Sequence, residues 1–238
     1  MPDRSNVIAA LLRRVETVTL LAVLCVAGGV WAFVVLSGQM IEGDLRAFDE
    51  SVLMALRSAG DPATPIGGPQ VEVVMRDITA LGGVTVLTLV TVAALVHLVL
   101  RGRRGAALFL AIAVLGGRAL SHVAKAGFDR PRPDLVPHGV EVATASFPSG
   151  HSMMAAVTYL TLAVMLARLE GRRSIRAFYA VAAVLLTLSV GVSRVYLGVH
   201  WPSDVLAGWT LGAAWALIVW LVARWIGKRR EAAHRPAD

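Results

Sequence analysis

The sequence has a single cysteine, Cys25, so no disulfide can form within the chain and the cysteine content gives no indication of compartment. Charged residues are also scarce: they make up 16% of the 238 residues, whereas 56% are hydrophobic. This balance argues against an ordinary soluble domain and is typical of a bilayer protein. The formal net charge is +7. Because the basic residues cluster at the ends of apolar runs, the charge indicates membrane orientation, and nucleic acid is not an expected partner.

Six apolar runs approach or reach the length of about 20 residues that a membrane-spanning helix needs. The predicted spans are Val18–Leu36, Ala80–Leu100, Ala106–Val123, Ser152–Leu166, Ala177–Val192 and Val205–Ile226. The first span lacks a clear cleavage site after it, so we interpret it as a retained anchor. We predict an all-α, single-domain integral membrane protein over residues 1–238, with a functional core at 116–212, an outer segment at 39–79 and a tail at 227–238.

The positions of the basic clusters predict the orientation of these spans. The clusters follow alternate spans, at Arg13–Arg14, Arg101–Arg104, Arg168–Arg176 and Lys228–Arg230. The positive-inside rule places this side, with both termini, in the cytoplasm. The opposite side then carries the polar segments 39–79, 125–151 and 194–203. The expected location is therefore the cytoplasmic (inner) membrane, with the polar segments on its periplasmic or extracellular face.

The outer segment contains a short stretch with helical periodicity. Phe48, Val52, Leu53 and Leu56 share one face of a helix. This pattern predicts a short amphipathic helix on the outer membrane surface, although a helix that packs as a cap over the bundle is an equally good interpretation. Asp61-Pro62 and the Gly67–Pro69 run then interrupt the chain.

The outer side also carries three polar stretches rich in cations and histidine. They are Lys125–Pro133, Pro148–His151 and Ser193–Asp204. Arginine offers a planar, permanently charged fork that matches phosphate oxygens, and lysine adds a compact charge. Lys125, Arg132 and Arg194 are therefore candidate ligands of a phosphate group.

Two features add candidate chemistry to these cations. Ser149 and Gly150 directly precede the fourth span, where a serine N-cap, a close backbone approach and free N–H groups favour anion binding. His200 and Asp204 lie four residues apart. A carboxylate that holds one imidazole nitrogen leaves the other free for nucleophilic attack.

A carboxylate cluster for metal ions is lacking near the histidines. The acidic residues available on the outer side are Asp129, Asp134, Glu141 and Asp204. Metal ions often stabilise the negative charge that develops on the phosphoryl oxygens when a phosphate ester is cleaved. Without a metal site, fixed cationic side chains are the expected alternative. We predict that no metal or other cofactor is required.

The three stretches together read K-x6-R-P, P-S-G-H and S-R-x5-H-x3-D, and every position is filled. This joint pattern resembles the type 2 phosphatidic acid phosphatase family, which shares its site with vanadium-dependent haloperoxidases. The resemblance implies that His200 attacks phosphorus to form a phosphohistidine, that Asp204 orients it, and that His151 protonates the leaving group and then activates water. It also implies a set of phosphoryl-binding residues: Lys125, Arg132, Ser149, Gly150 and Arg194.

The function implied is that of a membrane enzyme that hydrolyses a phosphate monoester or diphosphate of a lipid. Phosphatidic acid, phosphatidylglycerol phosphate, undecaprenyl diphosphate and a lipid A phosphate all remain open as substrates, and the oligomeric state remains open too. Two alternatives are a vanadium-loaded haloperoxidase-like enzyme and a non-catalytic binder or transporter of phosphorylated lipid. The apolar spans argue against the first, and the second leaves the paired histidines and Asp204 unexplained.

Two further positions lie close to the predicted site in sequence. Arg118 and His122 fall on one helix face with Lys125. A charge at the depth of Arg118 is costly unless it faces protein, a partner or water. The open interpretations are an internal ion pair or helix pairing, support of the phosphate pocket, and contact with a second phosphate. Trp201, beside His200, is expected to belong to the aromatic belt of the membrane interface, with a place in the wall of the pocket as the alternative.

Overall fold

The computed structural model describes residues 4–140 and 144–233, and the side chains of residues 17–140 and 144–229. Glu141, the tail residues 234–238 and the side chains of Arg13, Arg14 and Arg230 lie outside the described residues. The described elements follow the order α1 (Arg4–Glu42), α2 (Arg46–Ala55), β1 (Arg57–Ser58), β2 (Asp61–Pro65), α3 (Gly68–Ala80), α4 (Val84–Leu100), α5 (Arg104–Gly127), α6 (Gly150–Ala167), α7 (Arg173–Tyr196) and α8 (Pro202–Ala233). The predicted all-α class is confirmed, with one antiparallel two-stranded sheet as the exception in the described part.

Within the part of the chain that the structure describes, five stretches of helix are long and apolar enough to cross a membrane: Thr17–Glu42, Arg104–Gly127, Gly150–Ala167, Arg173–Tyr196 and Pro202–Arg229. A sixth crossing exists only if α3 and α4, which bend by 45° at a short break, form one span. The predicted span Ala80–Leu100 thus begins as a separate helix at Val84. The short fourth and fifth predictions extend in the structure up to the polar stretches, at Gly150 and Tyr196.

The outer segment contains more structure than the sequence predicts. The amphipathic helix is confirmed as α2, but its buried residues are Asp49 and Leu53, whereas Phe48 is 44% exposed. Because Leu53 packs in a cluster with residues of α7 and α8, α2 serves as a cap on the bundle. The Gly67–Pro69 run, read as an interruption, is the start of α3, with proline in the first turn where it suits a helix.

The central packing contact brings α8 against α6 at backbone distance. A Cβ atom at Gly208 would lie 2.7 Å from the Ser149 carbonyl oxygen, and one at Gly212 would lie 2.6 Å from the Met153 carbonyl oxygen. Small residues allow this approach, and such contacts stabilise helix pairs in lipid. The start of α8, just after His200, is thereby fixed beside the start of α6, which carries His151.

Candidate active site

The three polar stretches meet at one end of the bundle, where α5 and α7 end and α6 and α8 begin. A cavity of about 610 Å³ is lined there by six of the predicted site residues, namely Lys125, Arg132, Gly150, His151, Arg194 and His200. The remaining two, Ser149 and Asp204, are fully buried directly behind its wall. Side chains from separate helix ends thus face one space that can hold a phosphate group.

The imidazole of His200 is held from both sides. Its Nδ1 lies 3.3 Å from Oδ2 of Asp204, and its Nε2 lies 3.3 Å from Nη1 of Arg132. Because a guanidinium can only donate, Nε2 is the accepting nitrogen and the hydrogen resides on Nδ1. Burial lowers the pKa of His200 to about 4, although Asp204 opposes this shift. The neutral ring therefore carries its lone pair on the nitrogen next to Arg132, at the cavity.

Asp204 is saturated with hydrogen-bond donors. Its Oδ2 accepts a short hydrogen bond from the Ser146 hydroxyl and another, 2.9 Å long, from the Trp201 backbone N–H. Its Oδ1 accepts from Nη1 of Arg130 at 2.6 Å. The carboxylate has therefore little freedom to rotate away from His200.

Arg130 connects this carboxylate to helix α2. Its Nη2 lies 2.7 Å from Oδ2 of Asp49, which is fully buried. Asp49 also accepts hydrogen bonds from the Ser203 backbone N–H at 2.8 Å and from its hydroxyl at 2.6 Å. Two carboxylates thus share one arginine, and the pairs Asp49–Arg130 and Arg130–Asp204 form a continuous chain from α2 to the start of α8.

Sequence reasoning missed Asp49, Arg130 and Ser146. Arg130 stands two positions before Arg132 in the same cationic stretch, so a local signal existed, but nothing in the sequence ties it to the carboxylate Asp49. The prediction for Trp201 was wrong. Its side chain is only 9% exposed, donates from Nε1 to the Pro131 carbonyl oxygen at 3.1 Å and packs under the guanidinium of Arg130, so it belongs to the protein interior.

The three cations at the phosphate end of the cavity are anchored mainly by backbone oxygens or hydroxyls. Nζ of Lys125 donates to the Ala145 carbonyl oxygen at 2.6 Å, and Nη1 of Arg132 donates to the Val199 carbonyl oxygen at 2.5 Å. Arg194, 3% exposed, donates from Nη1 to the Thr79 hydroxyl at 3.1 Å. Its buried Nε has no hydrogen-bond partner among the described residues, so it is a donor still available to an anion.

Burial lowers the pKa of Arg132, and the Asp204 charge acts in the opposite direction. Arginine nevertheless keeps its charge in proteins because its ordinary pKa is so high. Taken with Lys125 and Arg194, Arg132 gives the phosphate end of the cavity a strongly cationic wall.

The start of α6 forms the other wall. Ser149 is the N-cap, and its hydroxyl accepts from the Ser152 backbone N–H at 3.4 Å and from the Ser152 hydroxyl at 2.9 Å. The Ser149 N–H donates to the backbone carbonyl oxygen of Asp204 at 2.9 Å. Ser149 therefore caps the helix and ties it to α8, while the free N–H groups of the first turn remain for an anion near Gly150.

His151 lies in the first turn of α6 and lines the same cavity as His200. Unlike His200, its imidazole makes no hydrogen bond to any other residue in the described part of the chain. The ring is consequently free to take its partners from a bound substrate or from water.

The cavity continues away from the phosphate end between α4 and α5. Its deeper lining is largely apolar, with Leu87, Thr91, Val92 and Leu95 from α4 and Ala111, Val114 and Leu115 from α5. Arg118 also lines it, whereas His122 does not, so the predicted shared face of Arg118, His122 and Lys125 only partly faces the cavity. Such a shape accommodates a charged head joined to a hydrocarbon tail.

No group of three or more histidine, cysteine, aspartate or glutamate side chains in the described ranges is placed to hold a metal ion. Asp129 and Asp134 do not line the cavity. Independence from metal ions stays a prediction.

Comparison with known proteins gives consistent matches. A family model described as the PAP2 superfamily matches residues 105–228. Phosphatidylglycerophosphatase B of Bacillus subtilis is 33% identical over 184 residues, which cover 76% of this chain and 85% of that protein. Lipid A 1-phosphatase of Rhizobium johnstonii is 32% identical over 127 residues, covering 50% of this chain and 47% of that protein.

A solved structure is also similar over most of the chain. The crystal structure of a transmembrane PAP2 type phosphatidylglycerolphosphate phosphatase from Bacillus subtilis superimposes with a TM-score of 0.74 at 28% sequence identity. The match covers 90% of this chain and 98% of that one. The fold is therefore shared over most of the chain.

Proposed function

The chain belongs to the PAP2 superfamily, and on that premise we propose that it releases phosphate from a lipid at the cationic end of this cavity, with His200 as the nucleophile. It is a multi-pass membrane lipid phosphatase. The observation that carries the catalytic assignment is the position of His200, whose unprotonated Nε2 lies beside Arg132 at a cationic cavity while Asp204 holds Nδ1.

In the first step, Nε2 of His200 attacks phosphorus, so a P–N bond forms as the bond from phosphorus to the leaving oxygen breaks. His151 donates a proton to that oxygen, and the lipid leaves as an alcohol or, from a diphosphate, as a lipid monophosphate. The ring of His200 becomes positively charged, and Asp204 stabilises this charge through the Nδ1 hydrogen. Lys125, Arg132, Arg194 and the N–H groups at the start of α6 stabilise the equatorial oxygens.

In the second step, the now neutral His151 accepts a proton from water as the water oxygen attacks phosphorus. The P–N bond breaks, the electron pair returns to Nε2 and inorganic phosphate leaves. His151 ends protonated and His200 neutral, so the enzyme returns to its starting state. The different environments of the two rings support these roles. The nucleophile His200 must be oriented and is held at both nitrogens, whereas His151 must change partners and is not held.

A lipid substrate is supported by the apolar depth of the cavity. Relatives carry the names phosphatidylglycerophosphatase B, lipid A 1-phosphatase and undecaprenyl-diphosphatase. We propose a phosphate monoester or diphosphate of a membrane lipid as the substrate class. The positions of the basic clusters at 101–104 and 168–176 support cytoplasmic termini and a cavity that opens on the periplasmic or extracellular side of the inner membrane.

The direct test is an assay of phosphate release by the purified protein across a panel of lipid mono- and diphosphates, in detergent with a metal chelator. We expect turnover without added metal, and loss of that turnover on adding vanadate, which binds phosphate sites. A strict need for magnesium would contradict the cationic mechanism. Activation by vanadate would favour the haloperoxidase-like alternative, and absence of phosphate release from every lipid would favour a binding or transport role.

A further inference from the structure

Arg118 is a cation in the interior of a membrane-spanning helix. It lies nine residues before the outer end of α5 at Gly127 and seven residues before Lys125. At 1.5 Å per residue, the Cα atoms of Arg118 and Lys125 are separated by about 10 Å along the helix axis. Both side chains line the same cavity. Arg118 is therefore placed about two helical turns deeper than the phosphate end.

No acidic partner accounts for this charge. Arg118 makes no hydrogen bond or ion pair with any other residue that the structure describes, and the described lining of the cavity contains no aspartate or glutamate. A permanent cation at membrane depth is costly unless a partner or water compensates it, so such residues usually mark a binding site. The helix-pairing interpretation of Arg118 has no supporting contact.

Arg118 faces the cavity, whereas its neighbour His122 on the same helix does not. His122 lies one turn nearer the outer end of α5, but it does not line the cavity. The cavity wall thus runs from the cations around His200, through Arg118, to the largely apolar residues Val114 and Leu115. A lipid that enters with its terminal phosphate outermost meets these regions in the order phosphate, second polar group and hydrocarbon tail.

The charges of the cavity exceed those that one phosphate requires. Lys125, Arg132 and Arg194 surround the phosphate end, whereas the buried Asp204 is already paired with Arg130 outside this set. A phosphomonoester with at most two negative charges is balanced by these three cations, and Arg118 remains. The surplus charge lies on the side where the rest of the lipid head must pass.

We propose that Arg118 binds a second anionic group of the lipid substrate, a phosphodiester joined to the reacting phosphate through a short carbon spacer. The inference rests on the proposed function, because it assumes a lipid phosphate at His200. The spacing favours a glycerol bridge, which sets three carbons and two oxygens between the phosphorus atoms. In a lipid diphosphate one oxygen joins them, so both phosphates stay at the outer end near Lys125.

The test compares three lipids with matched hydrocarbon content: phosphatidylglycerol phosphate, phosphatidic acid and an isoprenyl diphosphate. In Arg118→Met, kcat/KM for the glycerol-bridged lipid should fall by about 10-fold to 100-fold, the range expected for a lost charge-assisted hydrogen bond. The kcat/KM values for phosphatidic acid and the diphosphate should stay within about 3-fold of wild type, a smaller change than the loss of one such hydrogen bond would cause. Arg118→Lys keeps the charge and should recover part of the loss.

His122→Met is the matched control on the same helix, and it should leave the kcat/KM values for all three lipids close to those of wild type. Equal losses on the three lipids in Arg118→Met would overturn the second-anion site in favour of a structural role, and a loss confined to the diphosphate would overturn the spacer. In either case the activity of the wild-type protein, and with it the proposed function, is unaffected.

If Arg118→Met does not fold, the wild-type protein decides: a preference for the glycerol-bridged lipid over phosphatidic acid is expected, and equal or reversed kcat/KM values would overturn the site. Failure of wild-type protein on all lipids would instead refute the proposed function.

Discussion

His200 and His151 line one cavity, yet the protein holds them in opposite ways. The ring of His200 is 1% exposed and has Arg132 at one nitrogen and Asp204 at the other. The ring of His151 has no hydrogen bond to the described part of the protein and stands at the free start of α6. The protein thus fixes one imidazole in a single tautomer and leaves the other to exchange its partners.

This difference matches the two tasks of a phosphate transfer through histidine. A nucleophile gains from being held with its lone pair aimed at phosphorus, because orientation is supplied before the reaction. An acid that later becomes a base must face first a leaving oxygen and then a water molecule. The two ion pairs Asp49–Arg130 and Arg130–Asp204 connect the residue that orients His200 to helix α2.

Removal of the fixed ring should have the largest effect. In His200→Ala, kcat should fall by at least about 10⁴-fold, because loss of a nucleophile removes the covalent route. Phosphate release from a lipid monophosphate measures this, with membrane insertion checked by yield in detergent. His97→Ala, at an exposed position near the other end of α4, is the matched control. Near-normal turnover in His200→Ala would remove His200 from the role of nucleophile.

Removal of the free ring should have an effect that depends on the leaving group. In His151→Ala, kcat for a lipid monophosphate should fall by about 10²-fold to 10⁴-fold, the usual contribution of general acid–base catalysis. For an aryl phosphate the departing oxygen needs no proton, so the first step should survive and give a burst of the aryl alcohol. Stopped-flow absorbance detects the burst. Its absence, with the same steady-state loss on both substrates, would show that His151 is not the acid.

A substitution of Asp49 tests whether the ion pairs from α2 help to hold His200 in position. Asp49 is a positioning residue far from the phosphate. In Asp49→Asn, kcat should fall about 10-fold with KM unchanged, because Arg130 loses the charge that holds it and Asp204 gains freedom. Asp44→Asn, on an exposed position just before α2, is the control. The two single variants Asp49→Asn and Arg130→Met should also be non-additive in a double-mutant cycle. A lower melting temperature with unchanged kcat would limit Asp49 to a structural role.

The smallest expected effect concerns protonation of the His200 ring, which we expect to be undetectable across the neutral pH range. Burial disfavours the charged form of His200 and lowers its pKa to about 4, so the ring should stay neutral from pH 8 down to pH 5 and take up a proton only below that range. NMR of protein labelled at histidine carbons can follow the ring, with His200→Ala used to assign its signal. A transition near the ordinary histidine value of about 6.5 would contradict the tightly enclosed ring.

The sequence predicted the helix bundle and the residues at the cationic end of the cavity, because both depend on local pattern. Apolar length gave the spans, and the polar residues at helix ends fall next to one another once the spans are antiparallel, as Lys125, His151 and Arg194 show. The second span was predicted too simply, since the chain breaks between α3 and α4 and bends by 45°.

The parts that the sequence could not predict depend on contacts between distant residues. Arg130 and Asp49 are 81 positions apart, and Arg194 and Thr79 are 115 apart, so no periodicity relates them. Asp49 stands on an apparently solvated helix position, and only packing of α2 against α8 makes it a buried partner. The belt interpretation of Trp201 failed for the same reason, because its neighbours Leu53 and Arg130 come from other parts of the chain.

The most direct measurement is the identification of a phosphorylated residue in His151→Ala after reaction with an aryl phosphate. The first step should proceed and the second should stall, so the covalent intermediate should accumulate. Quenching in alkali preserves a phosphohistidine, and mass spectrometry of the peptides locates the added phosphoryl group. We expect it on His200 and its absence in the double variant His151→Ala/His200→Ala. A phosphoryl group on another residue, or a burst of product without any covalent adduct, would contradict nucleophilic attack by His200.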